Sequence, residues 1–267
     1  MEKRRSGIIL GISSVRSKNL SLPSKIAEKI KEAIGGIFSY GFFIIEITEK
    51  DIPEILEIES FEKERFIHYL EDLDLRLAFY IKSKNHVVST DKESRTRAKK
   101  EISTLIKMSD ELGGGRFDIP VICHIGGAKG NRKKSMGEFC KFFDTLPWQS
   151  QKKVCIINDD KPSLYSVKDL LSVTYLERKI PIVFRTNSYR TNQGGLTYKE
   201  SLFLAASTWA ERGNPILVYC PLSPEEMVDP EDLNPYNFVL DIATDNRIPE
   251  PKEELETINQ NSEEDGV

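Results

Sequence analysis

Runs of apolar residues alternate with amphipathic segments along most of the 267-residue chain. Eight short runs rich in Ile, Val and Phe have the length of buried β-strands. They occupy residues 7–13, 42–48, 76–80, 119–127, 153–159, 180–185, 215–220 and 238–244. Because these runs are continuously apolar rather than alternating, they are typical of parallel strands that are covered on both faces.

The segments between the runs have helical periodicity and helix-terminating signals. Ser24 is the expected N-cap of a first helix. Ser166 with Asp169, and Thr197 with Glu200, indicate two later helix starts, because such pairs bond reciprocally to the first backbone N–H groups. Further helices are predicted over 57–72, over 92–112 before three glycines, and up to about residue 144, and the helix after Thr197 is expected to end near residue 212.

Eight strands alternating with helices predict an α/β fold, a (β/α)8 TIM barrel over residues 1–248. An open doubly wound sheet is the alternative. The hydrophobic content of 39%, with 13 Phe, suffices for one large core. Residues 249–267 carry seven acids and one Lys and predict a disordered tail.

The charge of the chain is uneven. The tail at 249–267 carries −6 and the whole chain −4, so the other 248 residues carry about +2. A near-neutral body lacks the global basic signature of nucleic-acid binding, although a local basic groove stays open as an alternative.

Cysteine usage and the amino terminus indicate a soluble cytoplasmic protein without a membrane partner. The four Cys residues have no CxxC spacing, which argues against structural zinc, and they predict buried reduced thiols. The apolar stretch near the amino terminus is too short for a signal peptide or a membrane span. Nothing in the sequence indicates an oligomeric state.

Barrel enzymes carry their chemistry at the carboxyl ends of the strands. His124 ends the fourth run, and the glycine-rich loop after it contains Lys129, which could meet a phosphate. An ordinary turn with a hydrogen-bonded His is the alternative. The apolar part of the fifth run leads directly into the polar residues Asn158, Asp159, Asp160 and Lys161.

The polar residues after the fifth run could bind a metal, a water or a ligand, or could only cap the following turn. Arg185 ends the sixth run and could bind an anion or pair with an acid at the rim. The predicted phosphate- or ligand-binding residues are therefore Lys129, Asn158, Asp160, Lys161 and Arg185.

Two segments resemble a known family. Residues 121–131, VICHIGGAKGN, are similar to a strand that ends His-x-Gly-Gly with a following Lys-Gly. Residues 146–171 resemble a stretch that normally reads Leu-Pro, then Glu-Asn-Asp-Asp-Lys, then an aromatic residue before Asp-Leu. This is the pattern of the UV damage endonucleases, metal-dependent DNA-repair nucleases with a TIM barrel of the xylose-isomerase and endonuclease-IV type.

The resemblance implies a cluster of divalent metals, manganese, magnesium or zinc, held by His, Glu and Asp. His124 matches one ligand, Asp241 stands where the last strand normally offers Glu, and Glu57 stands where a His is expected. Other ligand positions are replaced here by Tyr80, Ile157, Arg185, Ser188 and Val218. Aliphatic side chains supply no lone pair, and Arg185 places a positive charge where a metal would sit.

The resemblance thus implies a DNA-repair endonuclease-like barrel acting on damaged duplex DNA, with its catalysis weakened or lost. No catalytic residue can be assigned, and whether the chain is an enzyme stays open. The main alternative is a non-catalytic barrel that binds nucleic acid or a phosphorylated ligand. A sugar-isomerase-like enzyme is a third hypothesis, although it too requires metal carboxylates that are mostly absent.

Overall fold

The computed structural model, which describes residues 4–11, 21–34, 41–48, 50–52, 59–83, 85–127, 131–219 and 240–244, contains eight parallel strands. They are β1 Arg4–Gly11, β2 Phe42–Thr48, β3 Arg76–Lys82, β4 Val121–Cys123, β5 Val154–Ile157, β6 Ile182–Arg185, β7 Ile216–Tyr219 and β8 Leu240–Thr244. Each strand pairs with the next in chain order, and β8 also pairs with β1, so the sheet closes. The alternative of an open doubly wound sheet is therefore wrong.

Helices follow the strands from β1 to β6. They are α1 Leu22–Ile34, α2 Ser60–Asp72, α3 Lys92–Gly113, α4 Arg132–Asp144, α5 Trp148–Gln151, α6 Val167–Leu170, α7 Leu176–Arg178, α8 Thr186–Thr191 and α9 Tyr198–Ser207, with a π-helical turn, Leu171–Tyr175, between α6 and α7. The predicted α/β fold with a parallel, helix-covered sheet is confirmed. The segments 220–239 and 245–267, which include the predicted acidic tail, lie outside the described residues.

Two apolar layers explain why the strands are continuously hydrophobic. In β2, Phe43, Ile45 and Ile47 belong to the larger core between the sheet and the helices. Phe42 and Ile44 of the same strand belong to a smaller core inside the barrel. Both faces of the strand are thus removed from water, which is the condition that the sequence pattern predicts.

Local signals fix most helix ends. Both predicted capping boxes form, Ser166 with Asp169 at α6 and Thr197 with Glu200 at α9. The expected cap at Ser24 is wrong, because α1 begins two residues earlier, at Leu22, with a proline in its first turn. The helix after Thr197 also ends earlier than predicted, at Ser207, where non-helical turns begin.

The amino-terminal end of the barrel is closed by a large side chain and an ion pair. The indole of Trp209 is buried and donates a hydrogen bond of 2.8 Å to the carbonyl of Ile182, the first residue of β6. Arg76, the first residue of β3, places Nη1 2.6 Å from Oδ2 of the fully buried Asp241 in β8. These contacts belong to the barrel floor, away from the strand ends where chemistry is expected.

The described cysteines are buried free thiols. Burial raises the pKa of Cys123 to about 12 and that of Cys140 to about 11, and it also raises the pKa of Cys155. The prediction of buried reduced thiols is confirmed for these three residues, while Cys220 lies outside the described residues. In the described part of the chain, every helix is too short or too polar to cross a bilayer.

Candidate functional site: a cleft at the barrel mouth

A cleft of about 600 Å³ opens at the carboxyl ends of β3 to β6. We call it the mouth cleft. It is lined by Tyr80, His86, His124, Gly126, Gly127, Asp159, Asp160, Lys161, Ser163, Leu164, Arg185 and Ser188. Besides the two histidines, the lining carries two acids and two bases, so it is neither an acidic cage nor a strongly basic groove.

The ring of His124 is held from both sides. Its Nε2 lies 2.9 Å from the hydroxyl of Tyr80 on the neighbouring strand β3. Its Nδ1 lies 2.7 Å from Oδ1 of Asp159, which follows β5. This contact is close but lacks the alignment of a hydrogen bond. The nearby carboxylate favours a proton on Nδ1, which leaves Nε2 to accept from the phenol.

Asp159 is anchored by its backbone as well as by His124. Its N–H donates to the carbonyl of Tyr165 at 2.9 Å, and its own carbonyl accepts from Nδ2 of Asn192 at 3.4 Å. The same Asn192 amide donates to the carbonyl of Lys161 at 3.0 Å. The turn after β5 is therefore fixed by the residue that follows α8, and it places the buried Asp159 in the lining of the cleft.

Asn158 continues the sheet with its side chain. Its Oδ1 accepts from the backbone N–H of Arg185 at 2.7 Å, and its Nδ2 donates to the Arg185 carbonyl at 3.1 Å. Because β5 ends at Ile157, this amide supplies the bonds that a further strand residue would supply to β6. Asn158 is fully buried and positions Arg185 rather than facing the cleft.

The floor beneath the mouth cleft is aliphatic. A small cavity there is lined by Ile9, Ile44, Tyr80, Ile122, Ile157, Arg185 and Val218. Tyr80 and Arg185 border both this cavity and the cleft above it. A further ion pair joins the carboxyl ends of two adjacent strands, with Nζ of Lys82 3.0 Å from Oε1 of Glu46.

His86 forms one wall of the cleft, packed against Gly126. Gly126 has φ +103°, and a Cβ built there would lie 2.3 Å from Cβ of His86, so only glycine fits. Burial, followed by the charge of His124, lowers the pKa of His86. The neutral form of His86 is therefore favoured beside the imidazole of His124.

Comparison with known proteins assigns the family. Residues 57–235 match the family model described as UV-endonuclease UvdE. The chain belongs to this family. A UV DNA damage endonuclease of Bacillus thuringiensis subsp. konkukian (strain 97-27) is 27% identical over 141 residues, 53% of this chain and 43% of that protein. One from Clostridium perfringens (strain 13 / Type A) is 28% identical over 202 residues, 73% of this chain and 47% of that protein. The chain thus spans less than half the length of these relatives.

Solved structures agree on the fold. The crystal structure of SacUVDE superposes with a TM-score of 0.66 at 18% identity, covering 91% of this chain and 92% of that one. A structure of L-ribulose 3-epimerase gives a TM-score of 0.62 at 12% identity, covering 96% and 85%. At such identities these matches show the fold alone.

The described residues at the mouth do not fit the metal cluster that the family resemblance implies. Within the described ranges, no three His, Cys, Asp or Glu side chains are grouped as metal ligands. His124 has both ring nitrogens engaged, Ile157 belongs to the aliphatic floor, and the Arg185 side chain lines the cleft. A cation would have to displace these contacts and approach a guanidinium.

The structure brings together only some of the residues expected from the sequence. His124, Asp160, Lys161 and Arg185 line the mouth cleft, while Asn158 lies beneath it. The expected position of Asp241 needs correction. It is the second residue of β8, so it lies at the start of that strand and bonds Arg76 at the opposite end of the barrel. Glu57 and Lys129 lie outside the described residues.

Sequence reasoning missed several residues at the mouth. The sequence does not distinguish the role of Asp159 from those of its polar neighbours. It also does not place His86 at the mouth or predict the ion pair of Glu46 with Lys82. A signal for Glu46 existed, since it lies two residues after Ile44 and strand residues two apart share a face. No local pattern marks His86, because a loop brings it to the cleft.

Proposed function

We propose that this chain is a UV damage endonuclease-like barrel that binds the phosphates of damaged duplex DNA at its mouth, with the clustered-metal hydrolysis of the family weakened or lost. We infer a (β/α)8 TIM barrel of the xylose-isomerase and endonuclease-IV type. The observation that carries the proposal is the position of Arg185, whose side chain lines the mouth cleft where the family resemblance places a metal-binding Asp.

The chemistry of the mouth supports anion binding. Arg185 and Lys161, which we call the anion seat, both line the cleft. Two of the acids at this end of the barrel contact bases, Asp159 with His124 and Glu46 with Lys82. A guanidinium and an ammonium bind phosphate oxygens directly, so a phosphodiester can be held there without a bridging metal.

The metal is the point at which this chain departs from its family. A divalent ion, when present in such a barrel, supplies a Lewis acid and an activated water. Here the described residues offer instead a basic pair and an imidazole already engaged on both sides. Residual hydrolysis would require ligands from outside the described part of the chain, such as Glu57.

The test is DNA binding by fluorescence anisotropy with UV-irradiated, nicked and intact duplexes over a salt series. Wild type should bind, and Arg185→Met should weaken binding about tenfold and lower the slope of log affinity against log salt by about one. Arg97→Met is the matched control, because Arg97 lies on the outer face of α3 and pairs with Glu93. An equal loss of DNA affinity in both variants would indicate that the DNA contacts α3 and not specifically the mouth cleft. Binding undetectable even at low salt would remove DNA as the ligand.

A non-catalytic site for a small phosphorylated ligand is the second candidate. The observation that favours it is the size of the mouth cleft, about 600 Å³, which is that of a small-molecule site. Titration with ribose 5-phosphate, with inorganic phosphate as a control, separates the two candidates. A heat of binding for the sugar phosphate that Arg185→Met abolishes, with no DNA binding, would favour this second function.

A further inference from the structure

Three side chains at the carboxyl ends of β3, β4 and β5, which we call the Tyr–His–Asp array, lie in contact at the mouth. The hydroxyl of Tyr80 lies 2.9 Å from Nε2 of His124, and Nδ1 of His124 lies 2.7 Å from Oδ1 of Asp159. An acid, an imidazole and a hydroxyl in this order are the parts of an activated nucleophile, in which the imidazole takes the hydroxyl proton and the carboxylate stabilises the imidazolium.

The backbone positions the carboxylate end of this array. Asp159 is fixed by its backbone bonds to Tyr165 and Asn192, while its other carboxylate oxygen, Oδ2, is buried with no hydrogen-bond partner among the described residues. The rings of Tyr80 and His124 pack edge to face, with centroids 5.8 Å apart. Such fixed geometry is what proton transfer between positioned groups requires.

A purely structural role explains the Tyr–His–Asp array poorly. The adjacent floor is aliphatic, and apolar side chains of similar volume would fill it without the cost of burying charge. Ser188 adds a second buried polar group at the same cleft, 1% exposed, whose hydroxyl has no partner among the described residues. Buried polar groups that line a cleft and have no hydrogen-bond partner in the protein indicate a ligand that supplies the missing hydrogen bonds.

We propose that Tyr80, with His124 and Asp159, is a metal-independent nucleophile for a phosphodiester bound at the anion seat. Tyr80 Oη bonds to phosphorus while its proton passes to Nε2 of His124. The bond from phosphorus to the leaving oxygen breaks, and that oxygen takes the electron pair and then the proton from His124. The products are a phosphotyrosyl protein and a free alcohol, so no outside reactant is needed.

Tyr80 and Arg185 are placed for this step. Both border the mouth cleft and the small cavity below it, so they face the same space at the barrel axis. A guanidinium there would stabilise the charge that develops on the phosphate oxygens. Tyr80 is the catalytic residue, His124 carries the proton, and Asp159 is a positioning residue. This inference rests on the anion seat of the proposed function and adds covalent chemistry to it.

The test uses bis(4-nitrophenyl) phosphate with EDTA present throughout. Wild type should release about one equivalent of 4-nitrophenolate per chain in a first turnover. Mass spectrometry should find the aryl phosphate on the peptide that contains Tyr80. Tyr80→Phe should lose both signals, whereas Tyr69→Phe, which removes a phenol on the remote helix α2, should keep both.

A second variant and a binding measurement separate failure of this inference from failure of the proposed function. Asp159→Asn should slow nitrophenolate release about a hundredfold while its far-UV circular dichroism spectrum stays that of wild type, which a merely structural role would not produce. DNA binding is measured on wild type in the same buffer. Absence of release above buffer in wild type, or release unaffected by Tyr80→Phe, would overturn the inference even if DNA binds. If wild type binds no DNA, the proposed function fails separately.

Discussion

Replacing Asn158 by Ala should destabilise the barrel substantially, because this residue lies buried beneath the mouth cleft and bonds the neighbouring strand. Its side chain makes two hydrogen bonds with the backbone of Arg185, at 2.7 Å and 3.1 Å. Alanine would remove both bonds at a position that is fully buried. If Asn158 were instead a ligand-binding residue, its removal would affect binding and leave stability nearly unchanged.

The magnitude follows from the two backbone groups that lose their partner. Each buried polar group deprived of a hydrogen bond costs about 1–3 kcal/mol, so the pair costs about 2–6 kcal/mol. Because Arg185 is only half-buried and cleft water can reach it, the lower part of the range applies, about 3 kcal/mol. At about 2–4 °C per kcal/mol, the melting temperature should fall by about 6–12 °C.

Urea unfolding followed by circular dichroism measures this loss, with an unchanged m-value showing that only stability has altered. The neighbouring Asp160 is exposed and gives a matched control, since Asp160→Ala should stay within about 0.5 kcal/mol of wild type. The reasoning is refuted if Asn158→Ala is as stable as this control.

Three further predictions concern the rest of the barrel. Arg76→Met should cost about 3 kcal/mol in urea unfolding, because it leaves the buried Asp241 carboxylate without its guanidinium; a neutral effect would contradict a structural role for that pair. Because burial lowers the pKa of His86, folding stability should fall as pH drops below about 6.5, and His86→Gln should reduce that dependence; an identical pH profile would contradict the assignment. Because burial raises the pKa of Cys123 to about 12 and of Cys140 to about 11, peptide mapping should find both unmodified by iodoacetamide until the protein unfolds; rapid native labelling would contradict their burial.

Much of the fold could be predicted from the pattern of apolar residues. Each of the eight apolar runs contains or overlaps a strand, because parallel strands covered on both faces must be apolar throughout. Helix ends were less certain. The two capping boxes formed where a Ser or Thr stands three residues before an acid, whereas Ser24 was overruled by the proline at position 23, whose fixed φ favours the first turn.

The site was only partly predictable, because side chains at strand ends must be assigned to a face before their partners are known. His124 and Arg185 were found from their positions at the ends of apolar runs. Asn158 and Asp159 are adjacent, yet Asn158 bonds the backbone of the next strand, whereas Asp159 contacts His124. Which side chain takes which partner depends on the register between neighbouring strands, and the spacing of residues in the sequence does not give that register. Asp241 was misplaced for the same reason.

The central claim, that this barrel mouth no longer holds the metal cluster of its family, is tested most directly by metal content. Protein purified without chelator should be analysed for manganese, magnesium and zinc alongside its concentration, and then titrated with each metal. The account predicts well under one equivalent bound and no saturable uptake, since His124 is held by Tyr80 and Asp159. Two or more equivalents per chain, lost on replacement of His124 by Ala, would contradict it.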